Sequence, residues 1–126
     1  MGTGLQNIEV LRFDEGSPPP LWSGTSNSFT SLARRTAVAS SEVINVEIPV
    51  KAGDIIGILG AAGDASLLRN SYGNGPYNSS IFGHSVTFNR MGMQYNIVTT
   101  QAQNIWSQAS GSIGRVELFY KKSNND

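Results

Sequence analysis

The sequence has no cysteine, a single histidine and few charged side chains. Without cysteine, the chain can form no disulfide and no thiolate metal site, and it offers no thiol nucleophile. A zinc or copper centre takes several His or Cys ligands, so one histidine is too few. Calcium also accepts carbonyl and amide oxygens, but no calcium-loop pattern joins the acidic residues. We therefore expect neither a metal site nor a cofactor.

Charge is scarce and balanced along the chain. Asp, Glu, Lys and Arg make up 14% of the residues, against about 25% in an average domain. Nine residues of each sign give a formal net charge of zero. Phosphate affinity comes mainly from Lys and Arg, so this balance predicts no nucleic-acid partner. No apolar run approaches the ~20 residues of a transmembrane helix, so we also expect no membrane span.

The residues that enzymes use are not arranged for catalysis. No Gly-x-Ser-x-Gly elbow occurs, and the only histidine, His84, stands beside a glycine in a predicted loop. Glu47 and Glu117 fall on the outward faces of predicted strands, where a solvated carboxylate is the ordinary case. We therefore predict that the protein is not an enzyme.

Glycine, serine, threonine and asparagine are frequent, and they favour turns and strands over helices. The clearest strand signal lies in residues 43–60. Apolar and polar residues alternate over 44–50, which is the two-residue period of a half-buried strand. A turn over 51–54 leads into the apolar run 55–59, which predicts a strand covered on both faces. We expect these two strands to form the middle of a sheet.

Five further segments have the alternation of strands, namely 5–13, 34–39, 86–90, 95–99 and 113–122. No βαβ alternation and no repeat of fixed period occurs. The pattern predicts an all-β fold in which two antiparallel sheets form a jelly-roll-like β-sandwich, a single domain over residues 1–126. A closed β-barrel is the alternative. Long connections over 14–34 and 60–80 favour the jelly roll.

A loop is predicted over residues 69–80, where Asn-Gly and Gly-Pro are turn signals. Its side chains suit ligand binding, because aromatic rings stack on sugar faces while amides and guanidinium groups bind hydroxyl groups. The candidate ligand-binding residues are Arg69, Asn70, Tyr72, Asn74, Tyr77 and Asn78. The same residue types occur at protein interfaces, and a third interpretation is that the tyrosines pack on the sheet. Trp22 and Trp106 stand in polar stretches, either exposed or buried.

These observations predict a non-catalytic binding module that recognises a glycan or a surface partner through its loops. The alternative is a self-associating structural subunit of a surface layer, filament or virus-like particle. In that case strands 5–13 and 113–122 would pair between copies, giving a homo-oligomer. Low charge and a surface of hydroxyl and amide groups favour an extracellular or particle-surface location. The chain is then expected to be a fragment of a longer exported protein.

Overall fold

The structure is a computed structural model that describes residues 5–39, 42–51, 53–63, 68–69, 72–75, 77–81, 84–93, 97, 99–108 and 111–114. These residues form ten strands and no helix, which confirms the all-β prediction. The strands are β1 (Gln6–Phe13), β2 (Phe29–Val38), β3 (Ile56–Gly63), β4 (Leu68–Arg69), β5 (Tyr72–Gly75), β6 (Tyr77–Ile81), β7 (His84–Phe88), β8 (Arg90–Gly92), β9 (Trp106–Gln108) and β10 (Gly111–Gly114). Their pairings are all antiparallel. Within this part of the chain, no helix could span a membrane.

Strand β1 lies inside a four-stranded sheet of order β2-β1-β3-β4. It pairs with β2 on one side and with β3 on the other, over most of its length in both cases. The expectation that segment 5–13 pairs between copies is therefore wrong, because both of its edges are already hydrogen-bonded. The sheet ends at β2 and β4, so it does not close on itself within the described residues.

The buried face of β1 mixes polar and apolar side chains. Asn7, Glu9, Leu11 and Phe13 alternate along this face, as the two-residue period of a strand requires, and all four are buried. The apolar core on this side comprises Leu11, Phe13, Leu59, Ala61, Ile97 and Ile105. The alternation of the sequence places Leu11 and Phe13 on one face of the strand, and the structure shows that Asn7 and Glu9 are buried on the same face.

Asn7 stabilises an irregularity in β2. The register shifts between Gln6 and Ile8, so that two residues of β2 oppose one of β1 in a β-bulge. Ala37 in this bulge has a φ of 56°, in the left-handed region that costs a non-glycine residue about 1–2 kcal/mol. The Ala37 N–H donates to Asn7 Oδ1 at 3.0 Å, and Asn7 Nδ2 donates to the Ala61 carbonyl at 3.1 Å. One buried amide therefore links three strands.

Glu9 is fully buried, and a buried carboxylate without partners would cost several kcal/mol. Ser31 Oγ donates to Glu9 Oε2 at 2.7 Å, and the Ala102 N–H donates to Oε1 at 2.9 Å. Arg34, the cross-strand neighbour, brings its Nε to 3.6 Å from Oε1. Arg34 Nη2 in turn donates to the Ile97 carbonyl at 2.8 Å. The carboxylate thus joins the first two strands to the chain around Ala102.

Residues 42–50, here called the strap, belong to no strand. Gln6 Nε2 donates to the Glu42 carbonyl at 2.7 Å, and Arg12 donates to the Pro49 carbonyl. The prediction of a paired strand is wrong here, because side chains of β1 bind the ends of the strap.

Strand β3 confirms the predicted strand after the turn, but not its burial on both faces. Gly57, Leu59 and Ala61 are buried on the core side. Ile56 is 36% exposed on the other side.

Three two-stranded sheets pair β5 with β10, β6 with β7 and β8 with β9. The loop predicted over 69–80 is wrong in part, because Tyr72–Gly75 and Tyr77–Ile81 are paired strands. Cross-strand bonding there overrides the local turn signals. Strand β7 pairs with β6 and β8 pairs with β9, while most of the predicted strand 95–99 lies outside the described residues. The predicted strand 113–122 lies outside the described residues beyond Gly114.

Ala37→Gly tests the strained bulge. Glycine adopts positive φ without the steric cost of about 1–2 kcal/mol, and it adds about 0.5–1 kcal/mol of chain entropy to the unfolded state. We expect the free energy of unfolding, measured by urea denaturation, to rise by about 0.5 kcal/mol. Ala33→Gly in the same strand is the control, and it should lower that free energy by about 1 kcal/mol. Equal losses at both positions would contradict the strain.

Glu9→Ala tests the buried carboxylate. The change leaves Arg34 and the Ala102 N–H facing a cavity, so we expect a loss of about 3–5 kcal/mol in unfolding free energy. Glu15→Ala removes an exposed carboxylate and should change stability by less than about 0.5 kcal/mol. Similar effects in the two variants, measured by denaturant titration, would show that Glu9 does not hold the sheet together.

Candidate functional site

The sequence-predicted ligand residues do not form one open loop. Arg69 lies in β4, Tyr72 and Asn74 lie in β5, and Tyr77 and Asn78 lie in β6, which belong to three different sheets. Asn70 lies outside the described residues. Opposite Tyr72 stands Gly114, and opposite Tyr77 stands Phe88. Binding by these residues stays a prediction.

A second surface comes together where the segment after the three prolines meets β9. The Ser107 N–H donates to the Pro20 carbonyl at 2.8 Å, and the Trp22 N–H donates to the Ser107 carbonyl at 2.9 Å. Ser107 Oγ also donates to the Pro19 carbonyl at 3.0 Å. Prolines supply carbonyls but no N–H, so an extended proline segment can accept bonds from β9 without leaving its own donors unpaired.

These backbone bonds fix the positions of two tryptophan rings. Trp22 and Trp106 meet edge to face, with ring centroids 5.2 Å apart and an interplanar angle of 66°. Arg90 Cζ lies 5.9 Å from the Trp106 ring centroid, within the range of a cation–π contact. On β8, the Trp106 ring lies so close to Gly92 that an added Cβ would be 2.7 Å from a ring carbon. The fit requires glycine at that position.

The resulting surface is apolar and partly exposed. We define the aromatic patch as Leu21, Trp22, Arg90 and Trp106. Leu21 is 63% exposed and Trp22 is 46% exposed, although tryptophan usually buries most of its area. Edge-to-face packing and the main-chain bonds hold Trp22 in place while about half of the residue stays exposed to solvent. Exposed apolar groups held rigidly in this way are typical of binding surfaces.

A polar groove of about 630 Å³ lies at the far end of β1, with Arg12, Lys51 and Asp54 among its lining residues. Asp54 Oδ2 lies 3.5 Å from Arg12 Nε and accepts a bond from the Lys51 N–H at 3.0 Å. The predicted turn over 51–54 is confirmed, with Gly53 at a φ of 93°. Asp54 therefore stabilises this turn through its bond to the Lys51 N–H, as aspartates in turns commonly do.

Potential metal ligands are scattered over the described part of the chain. Among those residues, no group of three or more His, Cys, Asp or Glu side chains could hold a metal ion. The fully buried carboxylate of Glu9 is bonded to Ser31, Ala102 and Arg34. Through these bonds the Glu9 carboxylate stabilises the fold.

Sequence reasoning identified neither the aromatic patch nor its geometry. Trp22 and Trp106 were recognised as ambiguous, but nothing local connects them, and Arg90 was read only as part of a strand. The one usable signal was the triple proline immediately before Leu21, because such a segment must find donors elsewhere in the chain.

Comparison with known proteins gives no relative from which a function could be transferred. No protein-family model, curated protein or solved structure matches the chain. The case for function therefore depends on the geometry of the surface alone.

Gly92→Ala tests the close packing beneath the patch. The added methyl group would force the Trp106 ring away from β8, so we expect a loss of about 1–3 kcal/mol in unfolding free energy and a changed tryptophan fluorescence spectrum. Ser85→Ala, at an exposed position in a strand, should leave both nearly unchanged. An unaltered spectrum in Gly92→Ala would contradict the observed contact.

Proposed function

We propose that the sheets pack as a β-sandwich. The support comes from the buried face of the four-stranded sheet, where the β8–β9 pair lies over β3. An added Cβ at Gly57 would be 2.6 Å from Met91 Sδ, and Met91 packs against the core. Ile105, immediately before β9, is fully buried in the same core. Two layers sharing one apolar interior is the arrangement expected of a sandwich.

We propose that this protein is a non-catalytic binding module that recognises a glycan through the aromatic patch. The observation that carries the proposal is Trp22, which is 46% exposed while its ring packs edge to face with Trp106. A flat, fixed aromatic face suits the apolar face of a sugar ring. The surrounding loop supplies hydroxyl groups, since Ser23 and Thr25 are also exposed.

The rigidity of the patch favours binding energetically. Ordering a flexible side chain on association costs about 0.5–1.5 kcal/mol. Trp22 is already oriented by the main-chain bond to Ser107 and by the Trp106 ring. A ligand that covers Trp22 gains the burial of its exposed area without that cost, at about 25 cal/mol per Å² of apolar surface. Leu21, which is 63% exposed, extends the apolar area.

A protein partner is the competing possibility for the same patch. Tryptophan and arginine are the residues that most often dominate protein interfaces, and the patch contains both. The exposed Leu21 would also fit a protein surface. The glycan proposal is preferred because the exposed residues that follow Trp22 include the hydroxyl side chains of Ser23 and Thr25, and because charge is sparse on the whole chain.

Thermal unfolding across a panel of oligosaccharides tests the proposal. A sugar present at about a hundred times its dissociation constant should stabilise the native state by about 2.7 kcal/mol and raise the midpoint. Trp22→Ala should abolish the shift and Trp22→Phe should retain part of it, because phenylalanine keeps an aromatic face. Tyr72→Ala and Tyr77→Ala examine the residues chosen from the sequence.

The outcomes separate the alternatives. A sugar-dependent shift lost in Trp22→Ala but kept in Tyr72→Ala supports the patch. A shift lost only in the tyrosine variants would move the site to β5 and β6. A flat response to every sugar contradicts glycan recognition, and a pull-down that depends on Trp22 would then favour a protein partner.

A further inference from the structure

Strand β9 pairs with β8, and the register of this pair determines which side chains share a face. Arg90 stands opposite Gln108, and Gly92 stands opposite Trp106. Residues opposite one another in an antiparallel pair project to the same side, and neighbours along a strand project to opposite sides. Met91, between Arg90 and Gly92, packs against the core. Arg90, Gln108 and Trp106 therefore belong to the face that points away from the core.

The chain on the other side of β9 adds Trp22 to this face. Leu21 forms a parallel bridge with Ser107, so one residue further along each segment places Trp22 beside Gln108. The contact between the two tryptophan rings confirms that they share the face. Gln108 therefore has Arg90 on one side and Trp22 on the other. Neighbouring strands lie about 4.8 Å apart, so the backbones at Arg90 and Trp22 are about 10 Å from one another.

We propose that the glycan recognised by the aromatic patch is acidic, and that Arg90 binds its carboxylate while a sugar ring stacks on Trp22. This inference rests on the glycan function proposed above and names the chemical class of the ligand. Of the four residues of the patch, Arg90 alone is charged. A guanidinium group beside an apolar surface suits a sugar with a carboxylate, because the two groups form paired, charge-assisted hydrogen bonds.

Arg90 can form several bonds at once. Its Cζ lies 5.9 Å from the Trp106 ring centroid, and attraction to the ring face uses no N–H donor. Arg90 also makes a further contact within the protein, but a guanidinium group has five N–H donors. Trp106 Nε1 is buried, so this ring offers no donor at the surface. Arg90 and Gln108 are both partly exposed, and they supply the donors that Trp106 does not.

The charge balance of the chain makes this recognition local. Nine positive and nine negative residues cancel, so no net attraction draws a polyanion to the protein as a whole. The guanidinium group of Arg90 matches one carboxylate. This favours a sugar with a single carboxylate on a ring over a densely sulfated polymer, which clusters of several Lys and Arg residues bind.

Isothermal titration calorimetry with matched pairs of sugars tests the proposal. The probes are oligogalacturonate, oligomannuronate and sialyllactose, each beside its methyl ester, which keeps the rings and most hydroxyl groups but removes the negative charge. We expect at least one acid to bind about tenfold or more tightly than its ester, since hydrogen bonds to charged groups are stronger than neutral ones.

Variants assign the preference for charge to its residue. Arg90→Gln should bring the ratio of acid to ester affinity close to one, whereas Arg90→Lys should keep part of it, because lysine retains the charge without the paired donors. Trp22→Ala should weaken acid and ester alike, because it removes the stacking surface. Lys51→Gln removes the same charge at an exposed position in the polar groove and should leave the ratio unchanged.

The outcomes separate this inference from the glycan proposal. Equal binding of acid and ester, lost in Trp22→Ala, would overturn the acidic ligand and leave glycan recognition in place. A preference for the acid that persists in Arg90→Gln would also overturn it, because another residue would then bind the carboxylate. Absence of binding by every probe overturns it too, and glycan recognition fails with it only if neutral oligosaccharides leave the unfolding midpoint unchanged. An acid preference lost in Arg90→Gln but kept in Lys51→Gln supports it.

Discussion

The fold depends on the carboxylate of Glu9, which lies in the interior, where a charged group loses its hydration free energy. Glu9 stands on the buried face of the central strand and is stabilised only because three groups from elsewhere converge on it. Ser31 and Arg34 come from the neighbouring strand, and the Ala102 N–H comes from a segment far along the chain. Loss of any one leaves charge or polar groups without partners in the interior. The requirement fixes how β1, β2 and the chain near Ala102 meet.

Polar bonds of this kind recur around β1 and explain the two unusual surfaces. Side chains of β1 bind the strap at both ends, and Val43, Val46 and Val50 of the strap are exposed. At the aromatic patch, main-chain bonds between Ser107 and the proline segment hold Trp22 beside Trp106. In both places, hydrogen bonds to carbonyls help to position the chain, and apolar side chains remain exposed.

Local sequence signals were sufficient for some features and insufficient for others. Alternation places Leu11 and Phe13 on one face of a strand, and the residues 51–54 predict a turn, because each feature depends on neighbours in sequence. Burial of Glu9 could not be predicted, since its hydrogen-bond partners are 22 and 93 residues away. The strap has strand-like composition, but whether it is paired depends on tertiary bonds. The aromatic patch unites residues from distant segments, which no single-sequence pattern connects.

Amide hydrogen exchange measured by NMR tests most directly whether the buried carboxylate holds these segments together. The Ala102 N–H is bonded to Glu9 and belongs to no strand, so ordinary irregular backbone would exchange rapidly there. The account predicts that this amide exchanges only through global unfolding, with the same free energy as the amides of β1. Exchange of Ala102 at the rate of an unprotected loop would contradict the account, because Glu9 would then not join this segment to the sheet.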